Sequence, residues 1–165
     1  MEIVWRAYEL RPEPVPTLDP RGDYLQRVWT NSVYPLAERL GVTMRLPPVQ
    51  PRSRRAHEAA HWARAAGRFD EMNAAVFRAL FERGEDIGDE GVLASLAEGL
   101  GLDGEALRRA LESRRFEPAV LADEREAEAL GVSGVPAFVA DRKAALSGVQ
   151  TTENLSRLVA HARAL

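Results

Sequence analysis

The sequence contains no cysteine among its 165 residues. This absence excludes a disulfide scaffold, a thiolate zinc or iron–sulfur site, and any reaction in which the chain itself supplies a thiol. It also lacks any apolar run of about 18 residues, the length needed to span a membrane as a helix. A chain of this length can bury enough apolar surface to fold without disulfides or a metal. The sequence therefore predicts one soluble globular domain.

Lysine is nearly absent as well, since Lys143 is the only one among 22 basic residues. Basic and acidic residues are mixed along the chain, and the net charge is −3. Neither a nucleic-acid surface nor an anionic-membrane surface is indicated by such a balance. The first residues, Met1 to Arg6, do not have the basic region followed by an apolar one that marks a signal peptide. We therefore expect a cytoplasmic protein that binds neither nucleic acid nor membranes.

The amino-terminal part predicts a strand followed by a helix. Ile3–Leu10 is rich in β-branched and aromatic residues, and three prolines follow it within a few positions. This pattern is typical of a strand that runs into a stiff loop. Asp23–Leu40 has apolar residues at helical spacing and ends at Gly41, and Pro35 inside it predicts a kink or two shorter helices.

Residues 52–131 are predicted to be helical almost throughout, with glycines ending the helices and with Asp89 and Asp103 as N-caps. After residue 131 the period of the apolar residues changes. Two short apolar runs within residues 137–146 flank a polar turn and predict a β-hairpin. Thr151 or Thr152 then caps a last helix. The predicted order is strand, helical block, hairpin and helix.

One motif suggests a metal site. His57, Glu58 and His61 form a literal H-E-x-x-H, which on a helix places both imidazoles on one face with a glutamate available as general base. The further positions of the extended motif hold Arg64 and Gly67, so no third ligand is singled out. A helix whose histidines pair with carboxylates gives the same pattern. A zinc hydrolase is therefore kept only as a remote alternative, and no metal is assigned.

A second motif suggests a binding loop. Ser133, Gly134, Val135 and Pro136 precede the apolar run 137–140. A proline that opens a strand after such a glycine turn is a frequent position for a cis X-Pro bond. That arrangement would leave backbone groups beside the proline facing outward, where an extended peptide or a thiol ligand could pair with them. An ordinary loop proline fits the local sequence equally well.

Six segments along the chain carry a resemblance to a known family: Trp5–Pro12, Ala56–His57, Phe77–Phe81, Gly84–Asp89, Gly134–Val139 and Ser147–Gln150. Together they resemble the DsbA-like thioredoxin-fold proteins, and in detail their cytoplasmic FrnE-like branch of dithiol–disulfide oxidoreductases. The related 2-hydroxychromene-2-carboxylate isomerases and kappa-class glutathione transferases are similar. The resemblance covers essentially the whole chain.

The resemblance implies an α/β, thioredoxin-like fold with an inserted helical lobe. Residues 1–165 would form one domain, with a thioredoxin-like part at 1–20 and 131–165 and the helical insertion at 21–130. It implies thiol–disulfide oxidoreductase function on a peptide or a small thiol or disulfide, without a cofactor. Val135 and Pro136, with Ser133 and Gly134, would bind the substrate. Helix spacing, and not the resemblance, suggests that His57 and Trp62 on the lobe line the cleft.

The chain departs from the family at its start, because the family begins with a strand and a helix that carries Cys-x-x-Cys, and both are missing here. The missing strand is central in the thioredoxin sheet, so Ile3–Leu10 and the proline strand would each lack a neighbour. Either Met1 is an internal methionine of a longer protein, or this is a cysteine-free descendant that repaired its sheet, for example as a homodimer. We expect the chain alone to be inactive in thiol–disulfide exchange. A glutathione-dependent isomerase or transferase and a non-catalytic binding module are the alternatives.

Overall fold

The computed structural model describes residues 1–165, which form two compact units. The hairpin unit comprises Met1–Leu10 and Leu121–Leu165, and the helical unit comprises Arg11–Val120. The helical unit therefore lies between the two sequence segments of the hairpin unit. The division into a thioredoxin-like part at 1–20 and 131–165 and an insertion at 21–130 stays a prediction.

The helical unit is built from short helices joined by tight turns. In chain order they are α1 (Asp23–Val28), a π-helical turn (Trp29–Val33), α2 (Tyr34–Leu40), α3 (Arg54–Ala65), α4 (Phe69–Arg78), a second π-helical turn (Ala79–Arg83), α5 (Glu90–Gly99), α6 (Gly104–Glu112) and the first turn of α7 (Glu117–Ala129).

Local sequence signals set several of these helix ends. The Asp89 carboxylate accepts hydrogen bonds from the backbone N–H groups of Gly91 (2.7 Å) and Val92 (3.0 Å). The Asp103 carboxylate accepts one from Ala106 (2.9 Å). Both predicted N-caps are thereby confirmed, and each satisfies N–H groups that have no partner inside the helix.

The predicted helix over Asp23–Leu40 forms as three consecutive pieces. Pro35 lies in the first turn of α2, directly after the first π-helical turn, and has no N–H to donate to the preceding turn, so the regular α-helical hydrogen-bond pattern is interrupted here. Trp29 opens that π-helical turn and is buried. Its ring contacts those of Tyr34 and Phe81, with centroids 5.6 and 6.1 Å away, so an aromatic cluster holds the irregular turn in place.

The core of the helical unit is made of a few large side chains and many small ones. Met72, Leu93, Leu107 and Leu111 are almost completely buried, and they pack with alanines from α3 to α5. Small residues let helix backbones approach closely, which explains why an alanine-rich helix such as α3 lies at the centre of the unit.

The hairpin unit contains the chain's one sheet. Strands β1 (Ala137–Ala140) and β2 (Ala144–Ser147) pair antiparallel, as predicted, with Ala137 opposite Ser147. Helix α8 (Thr152–Ala164) packs on the hairpin. Its predicted N-cap is confirmed at Thr151, whose hydroxyl accepts from the backbone N–H of Asn154 at 3.1 Å.

The strand predicted over Ile3–Leu10 does not form, and this prediction is wrong. A strand needs a neighbouring strand, and no other extended segment pairs with these residues. Ile3 and Trp5 are accordingly 73% and 52% exposed. The β-propensity of the segment was correctly recognised, but propensity alone does not supply a partner.

Carboxylates of α7 bind this segment instead. The backbone N–H of Ala7 donates to Asp123 Oδ2 (2.9 Å), and that of Glu9 donates to Glu124 Oε1 (3.2 Å). Asp123 is only 4% exposed, and its second oxygen accepts from Arg6 Nη1 at 3.0 Å. Alternate N–H groups of an extended chain face the same side, so two successive acidic residues satisfy one edge of it.

We predict that Asp123→Ala lowers the free energy of unfolding by about 2 kcal/mol, because it leaves the Ala7 N–H without its acceptor and removes one of the two carboxylates that Arg6 contacts, the other being that of Glu126. Asp123→Asn keeps one acceptor oxygen and should lose less. Glu128→Ala, an exposed change on the same helix, is the control. Urea unfolding and the exchange rate of the Ala7 amide measure the effect. A loss no larger than that of the control would contradict this role.

Candidate functional site

The loop between α7 and β1 is held at both ends. Beyond α7, the N–H of Val132 donates to the carbonyl of Ala127 (2.9 Å), and Gly131 has the left-handed φ of 73° that ends many helices. At the strand end, the carbonyl of Pro136 accepts from the N–H of Gly148 at 2.8 Å. The helix and the hairpin therefore fix where residues 133–136 lie.

Between these anchors the backbone of the loop is unused. Ser133, Gly134 and Val135 make no hydrogen bond within the chain. Val135 is 49% exposed, and the Val135–Pro136 peptide bond is cis. Three of the four predicted substrate-binding residues, Ser133, Gly134 and Val135, thus form one accessible stretch with free N–H and C=O groups, directly before Pro136. Such a stretch can pair with an extended ligand, but it offers no acid, base or nucleophile.

The H-E-x-x-H residues lie on α3 in the helical unit, where the glutamate is buried. Glu58 is 1% exposed, and its Oε1 accepts from Arg55 Nη1 at 3.1 Å. Its Oε2 has no hydrogen-bond partner. Burial raises the pKa of the Glu58 carboxyl above its ordinary value of 4.5, and the neighbouring Arg55 guanidinium opposes that rise.

Arg55 connects this glutamate to two other helices. Its Nε lies 3.2 Å from Glu90 Oε1 on α5, and its Nη1 donates to the carbonyl of Leu111 on α6 at 2.7 Å. No group of three or more His, Asp or Glu side chains is arranged to hold a metal ion. Glu58 thus belongs to an ion-pair network that joins three helices, and the geometry gives the zinc alternative no ligand set.

The other residues named from the sequence are found on the same helix. His57 is half-buried on α3, and Trp62 packs against the core of the helical unit. Asp123 and Glu124, which bind the first residues of the chain, were not singled out from the sequence. They lie 116 and 115 positions from their backbone partners, a separation at which no local pattern could signal the contact.

Comparisons with known proteins found a family model, a relative and a solved structure that are similar to this chain. A family model described as "DSBA-like thioredoxin domain" matches residues 1–160. The uncharacterized protein YwbO of Bacillus subtilis is 38% identical over 143 residues, which cover 84% of this chain and 72% of that protein. The crystal structure of a probable DsbA oxidoreductase from Streptomyces coelicolor superposes with a TM-score of 0.75 at 26% identity, covering 96% of this chain and 74% of that one.

None of the helices combines the length and the hydrophobicity that a membrane-spanning helix requires.

We predict that Glu58 makes the folded state less favourable as the pH rises. Because its pKa is raised on folding, the folded chain keeps this proton to a higher pH than the unfolded chain does. The unfolding free energy of the wild type minus that of Glu58→Gln should therefore fall as the pH rises through 4.5, and then level off.

Urea unfolding of both proteins between pH 3.5 and neutrality measures this difference. Steps of about half a pH unit resolve the titration of a single carboxyl group. Glu112→Gln is the control, since Glu112 is exposed at the end of α6. A difference that stays flat or increases with pH would show that Glu58 is not a buried acid of raised pKa.

Proposed function

The chain belongs to the DsbA-like thioredoxin domain family and has its fold, and from this premise we propose that it carries the substrate-binding half of a FrnE-like thiol–disulfide oxidoreductase site. In this proposal, residues 133–136 hold an extended peptide or a small thiol or disulfide beside the reacting sulfur. The redox dithiol itself is supplied by polypeptide outside the present sequence.

The observation that carries the proposal is the unused backbone of the loop. Ser133, Gly134 and Val135 offer donors and acceptors at the start of a strand, in a stretch fixed by α7 and by the Gly148–Pro136 hydrogen bond. An extended ligand that pairs with such groups is bound as an added strand would be. Recognition of this kind depends on the ligand's backbone, so one loop can accept many peptide sequences around a cysteine.

The binding loop provides only half of the proposed site, and the other half is the reacting dithiol. Thiol–disulfide exchange begins when a thiolate attacks one sulfur of a disulfide, forms a mixed disulfide and releases the other sulfur as the leaving thiolate. This chain has no sulfur that could attack. The exposed apolar side chains of Ile3, Val4 and Trp5, on a segment that has no neighbouring strand, support the view that a strand adds here in the active protein.

We predict that the chain alone neither reduces insulin with dithiothreitol nor oxidises a dithiol peptide above the buffer blank, because it cannot form the mixed disulfide. The insulin turbidity assay and a thiol titration measure the two directions. Turnover above the blank in a sample free of contaminating oxidoreductase would contradict the assignment of the dithiol to another segment.

A second prediction tests the binding loop directly. A fluorescent extended octapeptide with a central S-methylated cysteine should bind the wild-type chain and shift the amide resonances of residues 133–135. Val135→Pro removes the N–H donor and should abolish binding. Val135→Ala keeps the donor and removes most of the side chain, so it should bind within roughly threefold of the wild type, since an exposed apolar side chain contributes little.

Equal binding by both variants would contradict recognition through the backbone, and absence of binding to the wild type would contradict the proposed role of the loop. Glutathione is titrated in parallel. A rise in melting temperature with glutathione, without binding of the peptide, would favour the glutathione-dependent alternative over the proposed function.

A further inference from the structure

The hairpin unit contains a cavity that the proposed function does not use. It is a groove of about 600 Å³ between β2 and α8, and we call it the basic groove. Its volume lies within the range of small-molecule sites, roughly 300–1,000 Å³. The side chains that characterise it are Lys143, Leu146, Asn154, Arg157, Leu158 and His161.

The groove and the binding loop are lined by different residues. The groove is lined by Lys143 and by Ala144, Ala145 and Leu146 of β2, whereas the loop comprises residues 133–136 before β1. Leu146 pairs with Phe138, and the Pro136 carbonyl accepts from Gly148 beyond the end of β2. A ligand in the groove would therefore contact a different set of residues from one at the loop.

One face of α8 supplies most of the polar groups of the groove. Asn154, Arg157, Leu158 and His161 are spaced by three and four residues, so they follow one another along the same side of the helix. Leu158 is buried at the floor of the groove, and the polar residues before and after it are exposed. The arrangement is an apolar floor with a polar rim.

The rim is cationic and lacks a carboxylate. Lys143, Arg157 and His161 line the groove, and no Asp or Glu does. Lys143 pairs with Asp141 at 3.3 Å, and its Nζ also donates to the carbonyl of Ala162 on α8 at 3.4 Å. Arg157 pairs with Glu153 on the preceding turn of α8.

Both of those ion pairs are exposed to solvent, and pairs of that kind contribute little to stability. Arg157 can thus turn to a ligand at small cost, whereas Lys143 would also give up its hydrogen bond to the Ala162 carbonyl. His161 has no hydrogen-bond partner within the chain, which leaves both ring nitrogens available.

We propose that the basic groove binds a small amphipathic carboxylate, with the carboxylate at Arg157, Lys143 and His161 and the apolar body on Leu146 and Leu158. Arginine suits this role because its planar guanidinium can bind both carboxylate oxygens at once. The binding is non-covalent and does not depend on the redox dithiol. The proposal therefore stands independently of the proposed oxidoreductase function.

The test uses octanoate as the probe and follows the amide resonances of the full chain. Octanoate should give saturable shifts in β2 and α8. Acetate, which has the charge without the apolar body, and octan-1-ol, which has the body without the charge, should both bind at least about tenfold more weakly, a difference of about 1.4 kcal/mol.

Two variants of the same helix make the test specific. Arg157→Gln should weaken octanoate binding by roughly fivefold to tenfold, in line with the loss of one charge-assisted contact. Arg163→Gln, on α8 but outside the groove, should leave it unchanged. The proposal is overturned if wild-type shifts do not saturate, if octan-1-ol binds as tightly as octanoate, or if the two variants behave alike. The loop-directed peptide serves as a separate readout, and its binding is expected to be the same with and without octanoate.

Discussion

Every backbone N–H that leaves water needs an acceptor, and in the hairpin unit this requirement decides where the first residues of the chain lie. An extended segment normally meets it through a neighbouring strand. Here the N–H groups of Ala7 and Glu9 donate to Asp123 and Glu124, so that helix α7 takes the place of a strand edge. The apolar side chains of Ile3 and Trp5 on this segment are nevertheless exposed.

In the helical unit, the corresponding constraint is that a buried charged group needs a partner of opposite charge. A carboxylate buried as completely as Glu58 needs a cation beside it, and Arg55 supplies one. The same guanidinium also reaches Glu90 and the carbonyl of Leu111, so the partner of one buried acid becomes the link between three helices. The glutamate of the His57–His61 motif is thus engaged by Arg55.

The residues that could be predicted from the sequence are those whose structural partners are close in the chain. Asp89, Asp103 and Thr151 cap helices through contacts two or three residues away, and each was recognised. The strand over Ile3–Leu10 failed for the opposite reason, because its formation depends on a distant partner. The role of Asp123 could not be predicted either, since its partner lies 116 positions away.

The candidate site was partly predictable for the same physical reason. Residues 133–136 are contiguous, and a turn followed by a strand-opening proline is a local signal. The basic groove had no such signal, because Lys143 and Arg157 come together only when α8 packs on β2.

The loop and the groove therefore differ in the kind of recognition they offer. The loop offers backbone groups, which select an extended ligand with little regard to its side chains. The groove offers charged side chains around an apolar floor, which select a ligand by its charge and shape. Because β1 and β2 are only four residues long, the two sites are neighbours on one small element: Leu146, which lines the groove, pairs with Phe138, two residues from Pro136. A ligand at either site is thus held by the same pair of strands, and α8 is the helix that packs against both.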